Sequence, residues 1–171
     1  MLNLTQYVNL ERLEIEITVN NYDLFAKHVS MALKLKHLTL HVLGIDIDII
    51  KILEINQTIK FLTIYGDDKH MIMANNMTGD VKSMCQRIKL INVNIRKFDL
   101  FKYVNKLRNI EKLDISKSVF NPKHFDDVKM FRSCRSQTLL VHVAYSDDFI
   151  ELLVSNDKGF VKRSRFSVLI N

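Results

Sequence analysis

His37 and His41 stand at the His-x-x-x-His interval of a zinc-ligand pair, and what they can do depends on the backbone that carries them. On a helix, residues four apart share a face and can reach one ion. On a strand they are separated by roughly 13 Å, too far for both to bind one ion at about 2 Å. The stretch Thr39-Leu40-His41 alternates polar with apolar, which is a strand pattern, so no metal site is expected there. The two thiols fare no better as nucleophiles. Cys85 falls at an apolar position of a repeating frame and reads as core. Cys134 lies between Arg132 and Arg135, cations that lower a thiol pKa, but no local motif supplies a histidine to activate it. No Ser-His-Asp or paired-carboxylate signature occurs, and Gly44, Gly66, Gly79 and Gly159 are too dispersed for a phosphate loop. The expectation is a chain that is not an enzyme, with no catalytic, cofactor or metal site.

The basic residues offer a different chemistry. The net charge of +6 is uneven: residues 1–85 carry 8 Lys or Arg against 10 Asp or Glu, and residues 86–171 carry 17 against 9. An acidic partner therefore prefers the C-terminal half. Its densest stretch, Lys158-Gly-Phe-Val-Lys162-Arg163-Ser-Arg165, suits nucleic acid, anionic lipid or an importin, against the plainer reading of a solvated last turn. Two cysteines are too few for a secreted disulfide framework, and the N-terminus has no basic leader followed by a cleavage site. No apolar run reaches the roughly 20 residues of a membrane span. These features predict a cytoplasmic or nuclear location without membrane insertion, and the sequons at Asn3, Asn56 and Asn76 are discounted on the same ground.

The elements that position these side chains follow from a repeat. Leu10-Glu-Arg-Leu13-Glu-Ile15, Leu35-Lys-His-Leu38-Thr-Leu40, Ile59-Lys-Phe-Leu62-Thr-Ile64, Cys85-Gln-Arg-Ile88-Lys-Leu90 and Ile110-Glu-Lys-Leu113-Asp-Ile115 share the frame apolar-x-x-apolar-x-apolar. Weaker copies follow at Thr138-Leu-Leu-Val141-His-Val143 and Arg163-Ser-Arg-Phe166-Ser-Val168. The middle anchors 13, 38, 62, 88, 113, 141 and 166 are spaced by 25, 24, 26, 25, 28 and 25 residues. Between them lie apolar residues at helical spacing: Leu24, Phe25, Val29 and Ala32; Ile49, Ile50 and Leu53; Phe125, Val128 and Phe131. Acidic residues precede these stretches, at Asp23, Asp46 and Asp48, Asp99, Asp126 and Asp127, and Asp147 and Asp148, where a carboxylate caps a helix. Each repeat thus reads as a short strand followed by a short helix. The strands alternate, so one sheet face is covered by helices and the other is wet; a doubly wound nucleotide fold would have continuous apolar strands.

This pattern resembles the leucine-rich repeat superfamily, L-x-x-L-x-L-x-x-N/C-x-L, over about Leu10 to Ile170. The resemblance departs at the Asn or Cys eight residues after the first anchor, which here is Thr18, Leu43, Asp67, Val93 or Ser118. It implies an α/β solenoid, a horseshoe with a parallel sheet of about seven strands on its concave face and short helices on its convex face, forming one domain over residues 1–171. It implies protein–protein recognition on the concave sheet, as in an adaptor. The abundance of Ile (18), Lys (17) and Asn (14) beside Gly (4) and Pro (1) suits an A+T-rich genome, and the chain is similar in this to leucine-rich repeat families of insect poxviruses.

In that frame three lanes of side chains face outward from the sheet. The first is Arg12, His37, Phe61, Arg87, Lys112, Leu140 and Arg165; the second Glu14, Thr39, Thr63, Lys89, Asp114, His142 and Ser167; the third Glu16, His41, Tyr65, Ile91, Ser116, Ala144 and Leu169. The surface runs from acidic through aromatic to basic. The expected partner-binding residues are His37, His41, Phe61, Tyr65, Arg87, Lys89 and Lys112, with Phe61, Tyr65 and Arg87 at the centre because exposed aromatics and arginine dominate interface energies. The partner is an unidentified protein, with nucleic acid on the basic C-terminal half as the alternative. The apolar run Phe166-Ser-Val-Leu-Ile170 is expected to form an edge strand through which two copies could pair.

Overall fold

Each of the five best copies of the repeat frame folds as a strand, and the five strands lie side by side in one parallel sheet. A computed structural model describes residues 7–67, 72–73, 82–94, 107, 109–115, 118, 138–145, 148–155 and 159–163. Its elements in chain order are β1 (Arg12–Ile17), α1 (Tyr22–Met31), β2 (His37–Val42), β3 (Ile47–Asp48), α2 (Ile49–Ile55), β4 (Phe61–Tyr65), β5 (Ile72–Met73), β6 (Arg87–Ile91), β7 (Lys112–Asp114), β8 (Thr138–Tyr145), β9 (Asp148–Ser155) and β10 (Gly159–Arg163). The main sheet has the order β1-β2-β4-β6-β7-β8-β9-β10, and β3 pairs with β5 in a separate two-stranded parallel sheet. The anchors align laterally, Leu13 with Leu38, Leu62, Ile88 and Leu113, so each step of the repeat advances the chain by one strand.

The alternation in sequence becomes alternation in burial. Leu38, Leu40, Leu62, Ile64, Ile88 and Leu90 are buried, while Thr39, Thr63 and Lys89 between them are not. The buried side chains join Phe25 and Val29 of α1 and Ile49, Ile50, Ile52 and Leu53 of α2 in one core, which puts both helices on the same face of the sheet. Leu13 and Ile15 of β1 are only partly buried; among the described residues β1 pairs with β2 alone. The first anchors Leu35, Ile59, Cys85 and Ile110 are fully buried, as the frame requires.

Hydrogen bonds repeat at the same interval as the anchors. The carbonyl of Glu11 accepts the amides of Lys36 and His37, that of Lys36 accepts Lys60 and Phe61, that of Lys60 accepts Gln86 and Arg87, and that of Gln86 accepts Glu111 and Lys112. Each strand therefore enters the sheet through one carbonyl shared by two successive amides of the next coil. Polar side chains bond further turn backbone groups. Ser118 Oγ donates to Leu90 O and accepts from Val93 N, holding the turn after β6. In the first coil Asn21 does this work: its Oδ1 accepts from Thr18 N and its Nδ2 donates to Glu16 O. Gly66 is required by close approach, since a Cβ there would lie 2.7 Å from both Asn92 O and Val93 Cγ1.

Several expectations from sequence change here. Asp48 is an N-cap, its Oδ1 accepting from Ile50 N and Lys51 N, but Asp23 lies inside the first turn of α1. Of the four apolar residues at helical spacing in this coil, Phe25 and Val29 of α1 and its C-cap Ala32 are buried, whereas Leu24 is 55% exposed. Asn56, noted only as a sequon, is buried, and its amide donates to Val29 O and Ala32 O of the preceding coil. A side chain committed to two carbonyls in the core is no glycan acceptor.

The larger correction concerns the end of the chain. Asp147 and Asp148 were expected to precede a helix; instead Asp148 opens strand β9, antiparallel to β8, and β10 runs antiparallel to β9. Only Ser146 and Asp147 separate β8 from β9, and a parallel crossover needs a dozen residues or more. Two residues suffice for a hairpin. The sixth copy of the frame falls within β8, which pairs parallel with β7. The seventh anchor, Phe166, the run to Ile170, Arg165, and the capping expectations at Asp99, Asp126 and Asp127 lie outside the described residues, as do Cys134 and the helical stretch at Phe125.

Candidate functional site

The face of the sheet opposite the helices is where the seven expected binding residues lie. His37 and His41 are on β2, Phe61 and Tyr65 on β4, Arg87 and Lys89 on β6, and Lys112 on β7. The register reproduces the lanes: Arg12, His37, Phe61, Arg87, Lys112 and Leu140 are successive partners, as are Glu14, Thr39, Thr63, Lys89, Asp114 and His142. Glu16, His41, Tyr65 and Ile91 form the third. A strand spacing of about 4.8 Å then brings flat side chains in one lane to stacking distance.

Two stacks result. In the first lane the His37 and Phe61 rings lie 4.5 Å apart and 12° from parallel, and the Arg87 guanidinium carbon is 5.5 Å from the Phe61 centroid on the β6 side. In the third lane the His41 and Tyr65 rings lie 4.8 Å apart and 5° from parallel. His41 Nε2 is also 2.7 Å from Glu14 Oε1, a diagonal contact between β1 and β2. Glu14 was assigned to a lane from sequence but not to the site; its two-residue offset from His41 across adjacent strands was the available signal. Lys89 and Lys112 carry no ion pair to a described residue.

The electrostatics follow from these neighbours. Burial lowers the His37 pKa, and the cations of Arg12 and Lys36 lower it further against the opposing pull of Glu11. Its imidazole is held toward the neutral form that stacks on Phe61. At the margin of the face, the Lys36 ammonium donates to Glu11 Oε1 at 2.9 Å; that hydrogen bond, then the ammonium's charge, lowers the Glu11 pKa.

Among the described residues, the histidine pair and Cys85 have surroundings that the fold itself explains. His37 and His41 share a strand and engage different rings, so their helical ligand spacing is not realised. Among the described residues no group of three or more His, Cys, Asp or Glu could hold a metal ion, and no helix is long and apolar enough to cross a membrane. Burial pushes the Cys85 thiol up to about 12, and it donates to Arg87 O, as a protonated core residue does.

Comparison with protein-family models, with curated proteins and with solved structures gives no match for this chain.

Proposed function

We propose that this protein is a non-enzymatic interaction scaffold, a leucine-rich-repeat-type solenoid that captures a partner protein on the open face of its sheet. In this reading the sheet curves into a horseshoe, because helices on one face are wider than the spacing between strands, and the open face is its concave side. One observation carries the proposal: the open face holds ordered aromatic and cationic stacks, His37–Phe61–Arg87 and His41–Tyr65, which no buried structural need explains. Side chains that merely solvate a sheet are flexible and charged. Flat side chains already fixed in stacks lose little conformational entropy on binding, which is the property of an interface anchor. A cytoplasmic adaptor is the corresponding role.

The test is affinity purification with mass spectrometry from host cells, comparing the chain with a variant carrying Phe61→Ala, Tyr65→Ala and Arg87→Ala. The variant should lose the captured protein while its circular dichroism spectrum is unchanged. Equal capture by both would overturn the reading. Capture that fails on Lys162→Ala, Arg163→Ala instead, together with RNA or DNA binding that persists at about 200 mM salt, would move the function to nucleic acid.

A further inference from the structure

Between the two stacks runs a trough. Phe61 and Tyr65 are four residues apart on β4, so the two ring lanes stand roughly 13 Å apart, backbone to backbone. The lane between them is low: Thr39 and Thr63 are partners across β2 and β4, short hydroxyl side chains flanked by rings on both sides. This trough crosses the strands, and its two ends differ in charge. On β1 the second lane ends in Glu14, and on β6 it reaches Lys89. Glu16 on β1 adds to the acidic end against Arg12 on the other side of Glu14, and Arg87 on β6 adds to the basic end, beyond which the lane continues to Asp114 on β7; the balance is one net negative charge on β1 and two positive on β6. From β1 to β6 there are three strand spacings, roughly 14 Å, the reach of four extended residues.

We infer that the trough takes a single extended polypeptide segment lying across the strands, with a basic residue over Glu14 and an acidic residue over Lys89 about four positions apart, and small residues over the threonines between them. This rests on the scaffold reading and gives its ligand a chemistry. Charge complementarity at both ends sets the occupant. A single-stranded nucleic acid fits poorly, because base stacking needs free ring faces. His37 covers one face of Phe61 and Arg87 lies over the ring from the other side; His41 covers one face of Tyr65. A phosphodiester backbone would also meet two carboxylates at the β1 end. A peptide backbone instead can hydrogen-bond to the threonine hydroxyls.

The experiment uses fluorescein-labelled synthetic peptides of one length: one with an arginine and an aspartate four residues apart, one with arginine at both positions, one with aspartate at both, and an oligouridine of similar length. Fluorescence anisotropy on the full chain should rank the mixed-charge peptide first by about three- to fivefold, the scale of an exposed ion pair, with the preference shrinking as salt rises. Lys89→Glu should shift the preference to the doubly basic peptide, and Glu14→Lys to the doubly acidic one. Lys89 and Glu14 are exposed, and unchanged thermal melting of both variants confirms that the fold is retained. Equal binding of the three peptides, binding of none, a stronger oligouridine, or an unchanged ranking in Lys89→Glu would overturn the inference. Such a result beside loss of capture in the Phe61, Tyr65, Arg87 variant would leave the scaffold reading standing.

Discussion

The sheet is built in two ways, and the junction between them lies at β8. In the main sheet β1, β2, β4, β6 and β7 are each parallel to the one before, each after β1 is entered through a shared carbonyl, and each is followed by a connection long enough to return the chain to the same end. From β8 to β10 the chain reverses directly, strand against strand. The difference comes from connection length. A chain that must come back to its starting edge needs a dozen residues to do so, and in the β1–β2 and β2–β4 connections these residues hold the covering helices α1 and α2; a chain that turns back in two or three residues forms hairpins. The parallel part therefore acquires a core on one face and a wet, side-chain-ordered surface on the other, and that surface is where the candidate site lies.

The comparison can be broken most sharply in the parallel core. Leu62, buried between α2 and the neighbouring strands, should cost about 2–5 kcal/mol of stability when replaced by Ala, measured by urea unfolding, because its cavity cannot collapse between stacked coils. A loss under about 1 kcal/mol would argue against close-packed parallel coils. The antiparallel end is tested by cross-linking: Leu140 and Leu153 are register partners, so Leu140→Cys with Leu153→Cys should form a disulfide under mild oxidation, with a gain of up to about 3 kcal/mol for so short a loop. A parallel β8–β9 arrangement would leave the two thiols free.

Asn56 sharpens the view of how the parallel coils are held together. Its replacement by Ala removes the second donor of the Val29 and Ala32 carbonyls, which keep the amides of Ala32 and Leu35, and removes the acceptor of Thr58 N; the loss should cost about 1–3 kcal/mol in the same unfolding assay. The smallest effect concerns the open face. The folded-state pKa of His37 is depressed, so the stability it contributes is present above its unfolded value near 6.5 and is lost as the pH falls below that. Because the ring is largely solvated, the change should be slight: thermal melting between pH 7 and pH 5 should fall a little less in His37→Gln than in the parent chain. An identical fall in both would remove His37 from the balance.

Much of the parallel part was legible in advance. The frame apolar-x-x-apolar-x-apolar predicts seven strands, of which the five best copies form with the expected lateral register and wet face, because each follows from local alternation and from the repeat interval; the sixth copy falls within β8 and the seventh anchor lies outside the described residues. Cys85 as core and Asp48 as a cap are legible for the same reason. The seven site residues fall on the lanes predicted for them. What was not legible depends on neighbours in other coils: that Asn56 and Ser118 would stitch coil to coil, that Asn21 would take over the turn from Thr18, and that Glu14 would reach His41. Nor did the interval of 25 residues between Val141 and Phe166 distinguish a further repeat from a hairpin, since equal spacing of apolar anchors is compatible with both.

By itself the sequence determined the periodicity of this protein, which side of each strand is buried, and which residues share the open face, since these depend on side-chain order along a two-residue pleat. Tertiary structure decided the rest. Stacks of rings 4.5 and 4.8 Å apart, a trough floored by Thr39 and Thr63, and the reversal of direction after β8 exist only once coils about 25 residues apart lie one strand spacing from each other. Hydrogen bonds and ring contacts at that sequence distance are set by the packing of one coil on the next, and no local pattern encodes them.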